Sequence, residues 1–281
     1  MASPHAKPDL LELGNRLLAD GPHKTMAASR RVRILFNGIY VADTTDALFV
    51  WEHPYYPFYY VPLASFARSV LHDSHDDGPL SLMGLHVRGR TTDRVLGFSA
   101  NLAAHGGKGS SSVSPAARPL AGYVRVEFGA ADAWFEEDTR IYVHPKDPFK
   151  RIEILYSTRP VAVSVGGVKV AEAASSWHLH ETGLPVRYYL PPTAVLDPAT
   201  LRDSKTETQC PYKGVASYYD IVLGAAKAGD GEDKTFKDLV WYYRNPTHES
   251  ALIAGYICFY NEKVDIELDG VKLERPKTVF S

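Results

Sequence analysis

The 281-residue sequence lacks several features that mark particular classes of protein. Its two cysteines, Cys210 and Cys258, are too few for a disulfide framework or for a four-cysteine zinc site. Lys and Arg number 31 against 33 Asp and Glu, so the basic excess typical of nucleic-acid binding is missing. Neither a run of about 18 apolar residues nor a signal-peptide pattern occurs. These absences predict a cytoplasmic protein with reduced thiols that binds neither membrane nor nucleic acid.

Aromatic residues, by contrast, are plentiful. They make up 11% of the chain and include 17 Tyr and 11 Phe, which favours β-structure and aromatic-lined pockets over helix bundles. Alternating apolar residues at 32–36 and 161–165 are each followed by a glycine turn, at 37–38 and 166–167, as is typical of β-hairpins. We expect few helices, at 10–18, 63–71 and 249–255.

An internal repeat organises the sequence. Residues 37–62 align without a gap with residues 166–191, so that Glu52 pairs with Glu181 at an offset of 129 positions. The other pairs include Gly38 with Gly167, Val41 with Val170, Tyr59 with Tyr188, Tyr60 with Tyr189, and Pro62 with Pro191. Farther along, we pair 133–135 with 240–242 and 152–154 with 264–266. The repeat predicts two tandem copies of one mainly β domain.

The repeat also sets the expected domain boundaries. We expect an N-terminal extension with a short helix at 1–30, a first copy at 31–155 and a second copy at 156–281. Residues from about 99 to 120 are rich in Gly, Ser, Ala and Pro, and we interpret them as a flexible insertion in the first copy.

The two copies differ in one polar stretch. The second copy contains Cys210 and Lys213 within residues 208–219, whereas 91–100, the expected equivalent, has neither residue at the matching places. A site that needs these groups can therefore exist only once. We interpret the chain as one working copy beside a scaffold copy, and the alternative is two structural copies with divergent loops.

The motifs of the second half resemble those of a known family. They are Glu181, Tyr188-Tyr189, Cys210-Pro-Tyr-Lys-Gly214, Ser217-Tyr218-Tyr219, Trp241-Tyr242 and Lys263–Gly270, together with the junction His144–Arg151. From about Arg31 to Arg275 the chain resembles a family of domains of unknown function, DUF427. The resemblance implies small, curled antiparallel β-domains of the β-tent kind, each with a pocket between two sheets. An older family label implies nucleotidyl transfer, but the sequence has no glycine-rich phosphate loop.

Glu181 is the first candidate catalytic residue. On a strand, Trp177 and Leu179 would share its face, while His178 and His180 would share the other. A carboxyl group at the end of an apolar pocket is suited to general acid–base catalysis. The alternative is a buried hydrogen-bond anchor.

The other candidates surround this carboxyl group. Cys210 is either a thiolate nucleophile or an inert packed thiol. Lys213 is either an anion contact or base, or a solvated turn residue. Tyr189 and Tyr219 would donate hydrogen bonds to a carbonyl or oxyanion. The candidate substrate-binding residues, for which ordinary core packing is the alternative, are Trp177, His180, Tyr188, Tyr212, Gly214, Ser217, Trp241 and Tyr243.

These residues predict an enzyme without cofactor or metal that acts on a small organic molecule by general acid–base chemistry. The reaction would be an isomerisation, cyclisation, dehydration or hydrolysis in the second copy. One alternative is a non-catalytic module that binds a small molecule or a protein. A third, nucleotidyl transfer, depends on the family label alone. The sequence predicts neither the substrate nor the oligomeric state.

Overall fold

The computed structural model describes residues 9–67, 70–105, 113–225 and 232–278. It divides into two compact units, Met1–Asp147 and Pro148–Ser281. Each unit has one seven-stranded and one four-stranded sheet with antiparallel pairing. The protein is therefore mainly β, as the sequence predicts. No helix among the described residues is both long and apolar enough to cross a membrane.

The first unit begins with its helix, α1 (Leu10–Asp20). Its strands are β1 (Lys24–Ala27), β2 (Val32–Phe36), β3 (Ile39–Thr44), β4 (Leu48–Trp51), β5 (Phe58–Pro62), β6 (Leu71–Asp77), β7 (Leu80–Val87), β8 (Arg90–Phe98), β9 (Tyr123–Val126), β10 (Ala133–Glu136) and β11 (Thr139–Ile141). Short 3₁₀ helices span Leu63–Ser65, Leu102–His105, Pro115–Leu120 and Phe128–Ala130. The sheet orders are β1-β4-β5-β9-β8-β7-β6 and β11-β10-β2-β3.

The second unit repeats this arrangement. Its strands are β12 (Ile152–Ser157), β13 (Val161–Val165), β14 (Val168–Ala173), β15 (Ser176–Glu181), β16 (Arg187–Leu190), β17 (Leu201–Cys210), β18 (Gly214–Leu223), β19 (Lys234–Tyr243), β20 (Ile257–Phe259), β21 (Asp265–Leu268) and β22 (Val271–Lys272). Short 3₁₀ helices span Pro192–Ala194, Pro198–Thr200 and His248–Ile253. The sheet orders are β12-β15-β16-β20-β19-β18-β17 and β14-β13-β21-β22.

In each unit the two sheets enclose an apolar core. The inward residues of the second unit include Val161, Val163 and Leu190, all at most 1% exposed. Burying each such side chain contributes about 1.5–3 kcal/mol relative to leaving it in water. The hairpin between β2 and β3 turns at Asn37 and Gly38, whose φ angles of 47° and 74° are those that such tight turns require.

A second apolar cluster lies on the outer face of each seven-stranded sheet, away from the sheet–sheet core. In the first unit, α1 covers this face with Leu10, Leu13, Leu17 and Leu18. In the second unit the cluster contains Leu179, Tyr189, Ala216, Tyr218, Trp241, Tyr243, Ile253 and Cys258. Here the 3₁₀ helix His248–Ile253 supplies Ile253 to the cluster. The two outer faces thus differ both in the residues that form the apolar cluster and in the helical segment that packs on it.

The strand pairing corrects part of the repeat alignment. Strands β2–β5 and β13–β16 follow in the same order at the predicted offset. By their places in the sheets, β10 corresponds to β21, and β12 corresponds to β1. The downstream pairs 133–135 with 240–242 and 152–154 with 264–266 were therefore wrong. Short aromatic or apolar motifs recur on many strands, and only their pairing partners identify their equivalents.

The same topology identifies the equivalent of the polar stretch. The hairpin of β17 and β18 occupies the place of β6 and β7, so 91–100, which lies largely in β8, was the wrong equivalent. The turn of the first-unit hairpin, Gly78-Pro79, also lacks cysteine and lysine.

Unit boundaries and helices also differ from the expectations. Residues 148–155, expected in the first copy, belong to the second unit, because β12 pairs with β15. The expected N-terminal extension contributes α1 and β1 to the first unit, where β1 pairs with β4.

The helix at 10–18 is present as α1. Those at 63–71 and 249–255 are reduced to the 3₁₀ segments Leu63–Ser65 and His248–Ile253, because the next residues, Phe66 and Ala254, leave helical backbone angles; residues 68–69 lie outside the described residues. In the expected insertion, residues 106–112 lie outside the described residues, and Pro115–Leu120 contacts α1.

Candidate functional site

Glu181 forms the centre of a buried ion cluster on the outer face of the second unit. It ends β15, and its side chain is only 5% exposed. Lys213 Nζ donates a hydrogen bond to Glu181 Oε2, and Lys150 Nζ lies 3.5 Å from Oε1. Both lysines are largely buried, at 12% and 19% exposure. Because buried charges are costly unless paired, these contacts fix the three side chains together.

The turn between β17 and β18 positions Lys213. Gly214 has a φ of 101°, and a Cβ atom there would lie 3.2 Å from the carbonyl oxygen of Asn245. The Lys213 carbonyl accepts a hydrogen bond from the Thr247 amide at 3.1 Å, and the Tyr212 carbonyl accepts one from Ser250 Oγ at 3.3 Å. The glycine therefore lets this turn pack closely against the segment 245–250.

Lys150 is a site residue that the sequence analysis did not single out. It lies in the junction motif, just before Arg151, whose backbone is tied to Thr182 by hydrogen bonds of 2.9 and 3.0 Å. This pairing holds Lys150 beside the end of β15, and its ammonium lies 5.7 Å from the centre of the Tyr212 ring. The only sequence feature that could have indicated Lys150 was the junction motif, which carries the family resemblance but predicts no function for this lysine.

Buried aromatic residues lie on the same outer face as the ion cluster. Trp241 Nε1 donates a hydrogen bond of 3.0 Å to the Tyr189 hydroxyl. Burial raises the pKa of Tyr189 well above its ordinary value, with a further contribution from Cys258. Burial also raises the pKa of Tyr243, and the neighbouring Tyr189 adds to this effect. Both phenols therefore remain protonated at neutral pH and can act as hydrogen-bond donors but not as bases.

The two cysteines of this face differ in accessibility. Cys258 is fully buried in the centre of the sheet, and burial raises the pKa of its thiol to about 12. Cys210 ends β17 opposite Gly214 and is partly exposed. Only Cys210 combines exposure with a position near the turn that holds Lys213.

The sheet separates several other candidates from Glu181. Because alternate residues face opposite sides, Tyr188, Ser217 and Tyr219 point to the inner face, as His178 does. Tyr219 stacks on Tyr242 with ring centres 4.8 Å apart, and burial raises its pKa to about 12. The structure therefore does not bring Tyr219 together with the Glu181 carboxylate.

The edge of the sheet near Glu181 carries an open depression. It has a volume of about 250 Å³ and is lined by Arg151, Glu153, His180, Glu181, Thr182, Leu184 and Val186. Trp177 lies nearer the other end of β15 and packs edge-on against Tyr156 at 5.2 Å. The expected pocket between the sheets is wrong for the candidates around Glu181, because apolar core fills that space and the ion cluster lies on the opposite face.

The first unit has a related but different cluster around Glu52. Arg125 Nε and Nη2 donate to the two carboxylate oxygens at 2.5 and 3.3 Å, and the Tyr60 hydroxyl donates at 3.0 Å. Glu52 and Arg125 are 5% and 3% exposed. A buried glutamate at this position is therefore a feature of both units, and its cationic partner is what differs.

Comparison with known families agrees with this tandem fold. The chain matches the model of a domain of unknown function, DUF427, over residues 24–78 and 153–270. The match covers more than half of the chain, and the protein belongs to this family. A search of the curated proteins found no match.

Proposed function

We propose that the second unit is a cofactor-independent enzyme that transfers protons on a small organic substrate through Glu181 and Lys213. The observation that carries the proposal is the type of cation beside each buried glutamate. Arg125 in the first unit cannot lose its proton, whereas a lysine such as Lys213 can act as acid or base. Of the two equivalent buried glutamates, Glu181 and not Glu52 is thus ion-paired with a cation that can exchange a proton.

The surroundings of the pair support this assignment. Tyr189 and Tyr243 offer protonated phenols on the same face. In this proposal one of them stabilises a developing oxyanion while Lys213 transfers the proton. Lys150 Nζ, 3.5 Å from the other carboxylate oxygen, remains a second contact of Glu181 during the transfer. The reaction class is an isomerisation, cyclisation, dehydration or hydrolysis, and it requires no redox partner.

The proposal keeps two sequence-based expectations, a small-molecule ligand and a cytoplasmic location. The two cysteines are unpaired, which suits a compartment that keeps thiols reduced.

The test is incubation of a small-molecule extract of the source organism with wild-type protein, Glu181→Gln or Glu52→Gln, followed by mass spectrometry. We expect one compound to be consumed by the wild type and by Glu52→Gln, and about 100-fold more slowly by Glu181→Gln. The matched substitution in the first unit controls for loss of a buried carboxylate.

Other outcomes count against catalysis. A compound that the wild type retains unaltered through ultrafiltration would identify a binding module instead. Equal consumption by Glu181→Gln would remove Glu181 from the mechanism, and an extract with nothing consumed or retained would contradict the proposal.

A further inference from the structure

The first unit contains a buried hydrogen-bond donor that its own residues leave unused. Arg125 is 3% exposed, and its Nε and Nη2 atoms bind Glu52. Its third nitrogen, Nη1, is buried and has no hydrogen-bond acceptor among the described residues. A buried guanidinium donor without an acceptor costs free energy, because it has lost its hydrogen bonds to water and gained none in return. Such an atom therefore points to a missing acceptor.

The charge around this atom favours an anion. Glu52 is the carboxylate paired with Arg125, while Arg16 of α1 donates a hydrogen bond of 3.0 Å to the Glu52 carbonyl. Glu127 also acts electrostatically on Arg125, but it is paired with Arg94, so three guanidinium groups accompany two carboxylates. Burial lowers the pKa of nearby His53, which therefore stays neutral at pH 7 and adds no charge of either sign.

Aromatic rings connect the guanidinium with the surface. The Arg125 guanidinium lies 5.1 Å from the centre of the Phe58 ring. Phe58 contacts Tyr56 and His53, with ring centres 5.3 and 5.6 Å apart, and Tyr56 stacks on His144 at 3.9 Å. Phe58, Tyr56 and His53 are half-buried, so each of them also meets solvent.

We propose that this cluster binds a small planar organic carboxylate in the first unit. Its carboxylate accepts a hydrogen bond from Arg125 Nη1, and its ring packs against Phe58 and Tyr56. This site is separate from the proposed catalytic pair of the second unit, and it assigns a ligand to the copy that sequence comparison treats as a scaffold.

Benzoate is the probe for this site, and benzamide, which has the same shape without the charge, is the matched ligand control. Isothermal titration of the full chain should show benzoate binding at least about tenfold more tightly than benzamide. Arg125→Lys, which removes the Nη1 donor but keeps the charge, should weaken benzoate binding at least tenfold. Tyr56→Leu should do the same without touching the ion pair, whereas Tyr156→Leu in the second unit should have no effect.

The NMR resonance of the Arg125 side-chain N–H group shows whether benzoate binds at this site. We expect saturating benzoate to shift the Arg125 resonance, even if lysines elsewhere on the protein also bind benzoate. Tyr56→Leu keeps the test valid if Arg125→Lys fails to fold. An unmoved Arg125 resonance, or equal affinity in wild type and Tyr56→Leu, would overturn the proposal and leave Nη1 to a buried water. Equal binding of benzamide would overturn the assignment of an anion.

Discussion

The outer faces of the two units show how one fold can hold a buried glutamate in two ways. One row of paired residues crosses the sheet of the first unit as Leu48, Tyr60, Arg125, Leu96 and Leu82. The corresponding row of the second unit is Trp177, Tyr189, Cys258, Trp241 and Tyr218. Tyr60, which binds Glu52, corresponds to Tyr189, but the arginine of the first row is a cysteine in the second.

This exchange leaves Glu181 without the partner that Glu52 has. The position of Phe58 is taken by Arg187 in the second unit, and this arginine binds Glu262 instead, with two contacts of 2.7 Å. Glu181 is then paired by lysines from the hairpin turn and the junction. The comparison teaches that the fold requires the buried carboxylate to be neutralised but does not fix where the cation comes from.

The strongest test of this comparison removes the cation from each unit. We expect Arg125→Met to destabilise the first unit by about 3–5 kcal/mol, because the buried Glu52 carboxylate loses the cation that is ion-paired with it. Lys213→Met should cost the second unit less, about 1–3 kcal/mol, because Lys150 still faces Glu181. Hydrogen exchange measured by mass spectrometry on the full chain assigns each loss to its unit. Equal losses would break the comparison.

The relocated arginine pair gives a smaller, pH-dependent effect. Burial alone would raise the pKa of Glu262, but hydrogen bonds from Arg187 and Thr278 outweigh it and hold that pKa below the ordinary 4.5. A lowered pKa in the folded state means that this stabilisation is present above pH 4.5 and is lost as the pH falls through the folded value. Glu262→Gln should therefore flatten the acid side of the stability curve of the second unit. An unchanged acid slope would contradict the pairing.

The last prediction concerns Cys258, which occupies the position of Arg125, and it involves no change in stability. Burial raises the pKa of Cys258 to about 12, so its thiolate is scarce near neutral pH. We expect native protein to be alkylated by iodoacetamide at Cys210 and at least about 100-fold more slowly at Cys258. Peptide mapping distinguishes the two, and urea-unfolded protein, in which both should react, is the control. Rapid labelling of native Cys258 would show that the outer face opens.

Sequence reasoning predicted the parts that depend on local pattern. The gapless repeat anticipated β2–β5 and β13–β16, and strand alternation put Trp177, Leu179 and Glu181 on one face. In the structure, Leu179 and Trp177 lie in the apolar cluster of the outer face and not in the core between the sheets. It missed β6 because His72–Asp77 is a polar stretch without apolar alternation. Edge strands bury little and need no such pattern.

The rest of the site depended on pairing across the sheet. Local pattern could not reveal that Cys258 occupies the place of Arg125, because the two lie on strands separated from the aligned repeat by loops of different length. Lys150 was missed for a similar reason, since its contact with Glu181 arises only when the junction pairs with the end of β15. Strand alternation predicts that Tyr218 and Tyr219 lie on opposite faces of the sheet, but it does not predict which of the two faces carries Glu181.

The measurement that tests the central claim most directly is the turnover rate of Lys213→Arg on the compound that the wild type consumes. This substitution gives the second unit the type of cation that the first unit has, with the positive charge retained. We predict at least about a 100-fold loss of rate with an unchanged unfolding midpoint, because arginine cannot exchange the proton. Turnover at the wild-type rate would contradict the account and reduce the Lys213–Glu181 pair to a structural salt bridge.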